Sequence, residues 1–287
     1  MKVEMTLRGL SPRIFTRVTN AAKNDLIALQ HQTGVRKMSS TEIEQEKTPP
    51  HAVVIGGTSG IGFCIIERLI ALGYVVSFTY NSGNSSADNM SARFEGRVRG
   101  YRVDLSSSES VASFVECLRD APAPVALVNT AGVLQEGLAI GAITERLRFV
   151  NTVNFLSPAI IASEVATLMA PARRGAIINV TSIASRKAGV GNAIYGSTKI
   201  ALERFTASLA LEVARFGIRT LCVAPGFVDT PMFRNYAKGK DNDLISKLPT
   251  REILAPEDVA NPVIAFIEGR LKTTGTTIVL GNGEMTF

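Results

Sequence analysis

The run His51-Ala52-Val53-Val54-Ile55 stops at Gly56-Gly57-Thr58-Ser59-Gly60-Ile61-Gly62 and gives way to apolar residues at helical spacing: Ile61, Ile65, Ile66, Leu69 and Ile70, ended by Gly73. A short continuous apolar run reads as a strand buried on both faces, and the period near 3.6 that follows reads as a helix. Such a strand needs cover above and below, a demand met by parallel sheets with helical crossovers. Further candidate strands run from Val75 to Thr79, Val98 to Asp104, Ala126 to Asn129, Ala176 to Thr181, Arg219 to Ala224 and Thr276 to Leu280, with helical periodicity between them.

This alternation predicts an α/β fold of the Rossmann type, a doubly wound, seven-stranded parallel sheet with helices on both faces. Ligands of such sheets bind at the carboxyl ends of the strands, where the glycine turn lies. A helix start offers unpaired N–H groups and the positive end of a dipole, and glycines keep side chains from holding a pyrophosphate away. The turn therefore either binds phosphate or serves only to pack strand against helix. Its spacing, G-x-x-x-G-x-G, is not the commoner G-x-G-x-x-G.

Tyr195-Gly196-Ser197-Thr198-Lys199 places a phenol and an ammonium four residues apart, on one face of a helix. Tyrosine ordinarily titrates near pH 10, and a cation within a few Å favours its phenolate. Ser182 lies upstream at the end of a candidate strand, where serines also commonly satisfy local backbone. Asn154, inside a helical segment, could likewise do no more than bond to backbone.

Taken together these residues resemble the short-chain dehydrogenase/reductase family in its compact form. Gly56, Gly60 and Gly62 match its glycine motif, Asn129-Thr130-Ala131-Gly132 is similar to its Asn-Asn-Ala-Gly segment, and Asn154, Ser182, Tyr195 and Lys199 follow at the family's spacing. Pro225-Gly226 with Thr230 resembles the segment beside the nicotinamide. The likeness runs from about Ala52 to the C-terminus. Ile55, Thr130 and Gly281-Asn282-Gly283 depart from the family's usual residues.

The resemblance implies hydride transfer between a nicotinamide coenzyme and a ketone or secondary alcohol. Tyr195 would donate the proton, Ser182 would hold the oxygen, Lys199 would lower the tyrosine's pKa and bind ribose, and Asn154 would position a water. Gly56, Thr58, Ser59, Gly60, Ile61, Gly62, Tyr80, Asn81, Asp104, Leu105, Asn129, Ala131, Gly132, Pro225, Gly226, Val228 and Thr230 would complete the coenzyme site with Tyr195 and Lys199. Around Thr79-Tyr80-Asn81-Ser82 no acid is present to bond a ribose 2′-hydroxyl, which favours NADP(H) over NAD(H). No arginine or lysine is expected beside that stretch to bind the phosphate. The expected substrate is a small-molecule ketone or a 3-oxoacyl thioester, the latter resembling 3-oxoacyl-carrier reductases. An NAD-dependent alcohol dehydrogenase and a non-catalytic dinucleotide-binding regulator are the alternatives. Pro231 to Leu248 resembles a mobile lid, with Met232, Phe233 and Tyr236 over the substrate. Arg173 and Arg174 could meet an acidic carrier protein, although Leu211 stands where carrier-dependent relatives often have a second arginine. Helices around Asn151 to Met169 and Tyr195 to Phe216 would pair subunits into a homodimer or homotetramer.

Other chemistries find little support. The only histidines are His31 and His51, too few and too isolated for a metal site or a Ser-His-Asp triad. Cys64, Cys117 and Cys222 stand unpaired in apolar surroundings, as reduced core residues of a cytoplasmic protein would. Half of the net charge of +6 lies in residues 1–50, which hold eight basic and five acidic side chains; the rest is spread thinly, and no basic stripe interleaved with aromatics suggests nucleic acid. No membrane span is expected, since no apolar run approaches eighteen residues. Residues 1–50 are expected to form an extension, with an amphipathic helix at Ile14, Val18, Ala22, Leu26 and Leu29 and a polar linker, before a catalytic domain at 51–287. Met38 is an alternative start.

Overall fold

A computed structural model describes residues 49–141 and 144–283; the expected helix and linker of the extension, with His31, lie outside the described residues. Seven strands, β1 (His51–Ile55), β2 (Val75–Tyr80), β3 (Val98–Arg102), β4 (Ala126–Asn129), β5 (Gly175–Val180), β6 (Ile218–Pro225) and β7 (Thr276–Leu280), form one sheet in the order β3-β2-β1-β4-β5-β6-β7. Every pairing is parallel. The winding direction reverses between β1 and β4, which leaves a crevice at their carboxyl ends.

Side chains alternate across the sheet, as period-two geometry requires. Ala52 and Val54 share a cluster with Ile65, Ile66 and Leu69 of α1 (Gly60–Ala71), Ala87 and Met90 of α2 (Asn84–Arg93) and Val259 and Val263 of α9 (Pro256–Ile267). Val53 and Ile55 share the opposite cluster with α3 (Ser108–Arg119), α5 (Ser157–Met169) and α6 (Ala193–Val213), through Phe114, Ile161, Val165 and Leu209. Two short helices, α7 (Pro231–Ala237) and α8 (Asp241–Ser246), follow β6.

All seven expected strands are present, with small shifts at their ends. β3 stops at Arg102 because Asp104 turns the chain, its carboxylate accepting from Ser106 N–H at 2.8 Å and Ser106 Oγ–H at 2.7 Å. Cys64 and Cys222 are buried, but Cys117 is exposed, contrary to expectation. It occupies the solvent face of α3, whose core face is filled by Val111, Phe114, Val115 and Leu118.

α4 (Thr144–Asn151) runs into α5 through a π turn at Thr152–Leu156, where Ser157 N–H bonds Thr152 C=O. The resulting helix, Thr144–Ala172, is 29 residues long with a mean hydropathy of 1.4 over its most apolar window, enough by length and composition alone to cross a membrane. No continuous apolar run of that length lies within it, since Ser157, Ser163, Glu164 and Thr167 interrupt the apolar residues. The apolar residues Ile161, Ala162, Val165 and Met169 are buried in the same cluster as Leu127 and Ile177 of the sheet, which accounts for the composition without lipid.

Ile177 lies at the centre of β5 and is fully buried. Ile177→Ala is expected to destabilise the fold by about 3 kcal/mol, read as a lower urea midpoint with an unchanged denaturant slope.

Candidate active site

Gly56 turns the chain out of β1 with φ +83°, a left-handed conformation that disfavours a side chain. A Cβ on Gly62 would meet the Gly56 carbonyl oxygen at 2.3 Å and Thr130 Oγ1 at 2.8 Å, so α1 starts against the turn. The first α-helical bond begins at Phe63 N–H, donated to Ser59 C=O, which leaves earlier N–H groups facing the crevice. These donors, with no side chain at Gly60 or Gly62, fit a pyrophosphate. Thr130, a departure from the family's usual asparagine, donates to Ile55 C=O at 2.8 Å and Gly56 C=O at 3.1 Å, joining the β4 loop to the turn.

Tyr195 and Lys199 share one face of α6, and Lys199 Nζ lies 5.7 Å from the centre of the tyrosine ring. Lys199 is buried and donates to Val180 C=O at 3.3 Å. A Cβ on Gly132 would stand 3.2 Å from Lys199 Nζ and 3.3 Å from Asn154 Oδ1, so the bare glycine admits both groups. Asn154, in the π turn, accepts from Val133 N–H at 2.8 Å and donates to Val133 C=O at 2.9 Å and Thr198 Oγ1 at 3.3 Å. Its amide therefore makes the backbone bonds that the sequence left as one of two possibilities. Ser182 lies just beyond β5 and accepts from Ala184 N–H at 3.1 Å.

Burial raises the Tyr195 phenol to about 12, and the Ser182 hydroxyl beside it acts the other way. Burial lowers the Lys199 ammonium to about 8, with Cys222 opposing. Desolvation thus sets the tyrosine high in this cleft, and the expected lowering by the lysine is not found.

A cavity of about 370 Å³ gathers Ser59, Ile61, Gly132, Ser182, Tyr195, Lys199, Pro225, Gly226, Val228 and Thr230 around one space. Thr230 caps α7, accepting from Phe233 N–H at 3.3 Å, and a Cβ on Gly60 would touch its methyl at 2.9 Å. Phe233 and Tyr236 of α7 pack on Phe227, with ring centres 5.1 and 5.6 Å away, and close the apolar end together with Leu134 and Met232. Asn154, Asn129 and Leu105 are buried and do not line this cavity, nor do Gly56, Thr58, Gly62 and Ala131. Tyr80, Asn81 and Asp104 lie at the ends of β2 and β3, away from the cavity lining.

Several contributors carried no sequence signal. Asn129 donates to Asn179 at 3.3 Å and Asn179 to Thr206 of α6 at 3.0 Å. Glu203, also on α6, is buried and accepts from Thr181, Ser185 and Thr277 while pairing with Arg186 at 2.8 Å. At the end of β3, Arg102 Nε approaches Asn81 C=O at 3.4 Å, so an arginine does stand beside the β2 end. Sequence proximity missed it because the neighbour belongs to another strand. His51 is remote from the site, bonding Pro122 C=O at 2.7 Å and Ser77 Oγ at 2.9 Å, and among the described residues no cluster could hold a metal.

The fold and site define a nicotinamide-dependent oxidoreductase of the doubly wound class, and the comparisons agree. The family described as short chain dehydrogenase matches residues 50–241, and the chain belongs to it. It is 32% identical over 239 residues to the 3-oxoacyl-[acyl-carrier-protein] reductase FabG of Pseudomonas aeruginosa, covering 81% of this chain and 96% of that protein. The protein of the same name from Chlamydia pneumoniae is 31% identical, over 80% of this chain and 95% of its own. A solved short chain dehydrogenase/reductase family protein superposes with a TM-score of 0.74 at 28% identity, covering 82% of this chain and 96% of that one. The protein is accordingly an NAD(P)-dependent oxidoreductase acting on a ketone or its alcohol.

The lysine has a thermodynamic signature. Between its folded value of about 8 and its ordinary 10.5, the unfolded chain holds a proton that the folded chain has released, so stability rises with pH across that window. Lys199→Met is expected to be more stable than wild type at pH 7, with the gap narrowing from pH 8 to 10.5. Urea melts of both proteins over that range check the trend.

Proposed function

We propose that the chain works as a ketoreductase that prefers NADP(H), with Tyr195, Ser182, Lys199 and Asn154 as its catalytic group. The reading is supported above all by one observation: Tyr195, Ser182 and Lys199 line the same cavity as Ser59 and Ile61 of the glycine turn. The bound coenzyme supplies hydride from its nicotinamide. As the substrate carbon is reduced, charge builds on the carbonyl oxygen and must be met by donors already in place. Ser182 hydrogen-bonds that oxygen, and Tyr195 gives it a proton. A phenol held near 12 is neutral at pH 7, the form a proton donor needs. Lys199, on the same helical face, stabilises the phenolate that remains. Asn154 holds the Val133 backbone beside Lys199, positioning the loop against which the reaction occurs.

A 3-oxoacyl thioester is the substrate class suggested by the FabG relatives. A compact apolar ketone of a specialised pathway is favoured instead by the surface. Arg173 spends its guanidinium on Arg215 C=O at 2.7 Å, and Leu211 presents an apolar side chain that is 84% exposed. The preference for NADP(H) rests on Thr79-Tyr80-Asn81-Ser82, which ends β2 without an acid. Exposed Leu156, Ile160, Ile200 and Leu211, on α6 and on the long helix ahead of it, form the surface on which subunits pair into a dimer or tetramer.

Tyr195→Phe is expected to lower kcat at least about 1,000-fold while leaving NADPH affinity within a few-fold of wild type. Lys199→Ala weakens both. Absorbance at 340 nm with a panel of ketones, together with coenzyme titration, measures the two effects. Retained turnover in Tyr195→Phe would remove the phenol from the mechanism. Light scattering at micromolar concentration is expected to give a mass of at least two subunits.

A further inference from the structure

Tyr80 and Arg102 are register partners in adjacent parallel strands, so their side chains leave the same face of the sheet. That face carries α1 and α2, since Phe78, two residues before Tyr80, packs in the cluster formed with those helices. The register is tightly held: a Cβ on Gly100, the partner of Phe78, would meet the Phe78 ring at 2.8 Å. Arg102 therefore emerges at the carboxyl edge of the sheet, over the end of β2. Its Nε lies 3.4 Å from Asn81 C=O, and it forms no ion pair among the described residues. Asp104 is near enough to feel this positive charge, but its carboxylate is already engaged by Ser106. The first turn of α2 carries no acid, and Asn81, Ser82 and Asn84 beside it are exposed and neutral.

We propose that Arg102 is the specificity residue for the coenzyme, its guanidinium binding the 2′-phosphate of NADP(H) at the end of β2. The cation is delivered from β3, one strand away from the loop that holds the ribose. This assignment rests on the NADP(H) reading above. A guanidinium presents a planar fork of donors that matches phosphate oxygens two at a time. A plain ribose 2′-hydroxyl offers no such charge, so NAD(H) gains little from the same residue. Discrimination then arises from one exposed side chain that plays no part in the chemistry of hydride transfer.

Calorimetric titration of wild type, Arg102→Ala and Arg102→Gln with NADPH, NADH and 2′,5′-ADP tests the assignment. Wild type is expected to bind NADPH more tightly than NADH. Both variants are expected to lose about tenfold or more in affinity for NADPH and for 2′,5′-ADP, with NADH unchanged within about twofold. The retained NADH affinity reports a folded site. A variant that keeps the wild-type preference for NADPH would overturn Arg102 while leaving the NADP(H) reading intact. Equal losses for both coenzymes would overturn it in favour of a purely structural role. A wild-type preference for NADH would overturn the NADP(H) reading itself, and the assignment with it.

Discussion

The buried amide ladder from β4 to α6 is the interaction on which the site depends. Asn129 reaches Asn179, Asn179 reaches Thr206, and Thr220 Oγ1 donates to Thr206 C=O at 2.9 Å. All four residues are buried, so each unmade bond would leave a polar group without water. A helix packed on a sheet by apolar contacts alone could slide or rotate at modest cost. The ladder removes that freedom and fixes where Tyr195 and Lys199 project along α6. Asn129 also accepts from Ala131 N–H at 3.2 Å, so the same ladder sets the loop that borders the glycine turn.

Charge at the site is governed by desolvation rather than by pairing. Among the described residues the buried Lys199 lacks a carboxylate partner and loses basicity, while Glu203, one helical turn further on, has Arg186 and three hydroxyls around it. The two acidic and basic groups on one helix thus meet different fates. Glu203 ties the end of β5 and the residues after Ser182 to α6, and acts as a mechanical joint. Lys199 is left with a backbone carbonyl and the tyrosine ring, where its charge can respond to events in the cavity. Such a division is an expensive arrangement for stability, and it is confined to the ends of the central strands.

Much of the fold was legible in the sequence because fully buried strands and amphipathic helices write their burial directly into residue periodicity. β1, β4 and β5 are short, mostly apolar and buried runs, β6 carries one from Leu221 to Ala224, and Gly56 and Gly62 mark a turn where backbone closely approaches backbone. Tyr195 and Lys199 were visible because helical spacing is local. Arg102 was not, because its neighbour Asn81 lies on a different strand and only the register joins them. Glu203 was hidden for the same reason: a glutamate within a helix reads as a solvent-facing residue until the hydroxyls from β5 and β7 are placed around it. Cys117 was misread because a lone thiol among apolar residues gives no indication of which helix face it occupies. The reach of β3 was overstated because Asp104 can end a strand with its own side chain, a choice that periodicity does not record.

The π turn at Thr152–Leu156 gives the long helix two phases. By taking in one extra residue, it rotates everything after Leu156 by roughly 100° relative to an unbroken α-helix. Within that offset the chain can turn Asn154 toward Val133 and Thr198; downstream it can lay Ile161 and Val165 against the sheet. The two orientations would not survive together if the helix were made regular by removing a residue. The hydrophobic stripe would swing toward solvent, or the amide would leave the active centre. A local irregularity in hydrogen bonding is thereby what lets a single rod serve as both a wall of the core and a bracket for the reaction.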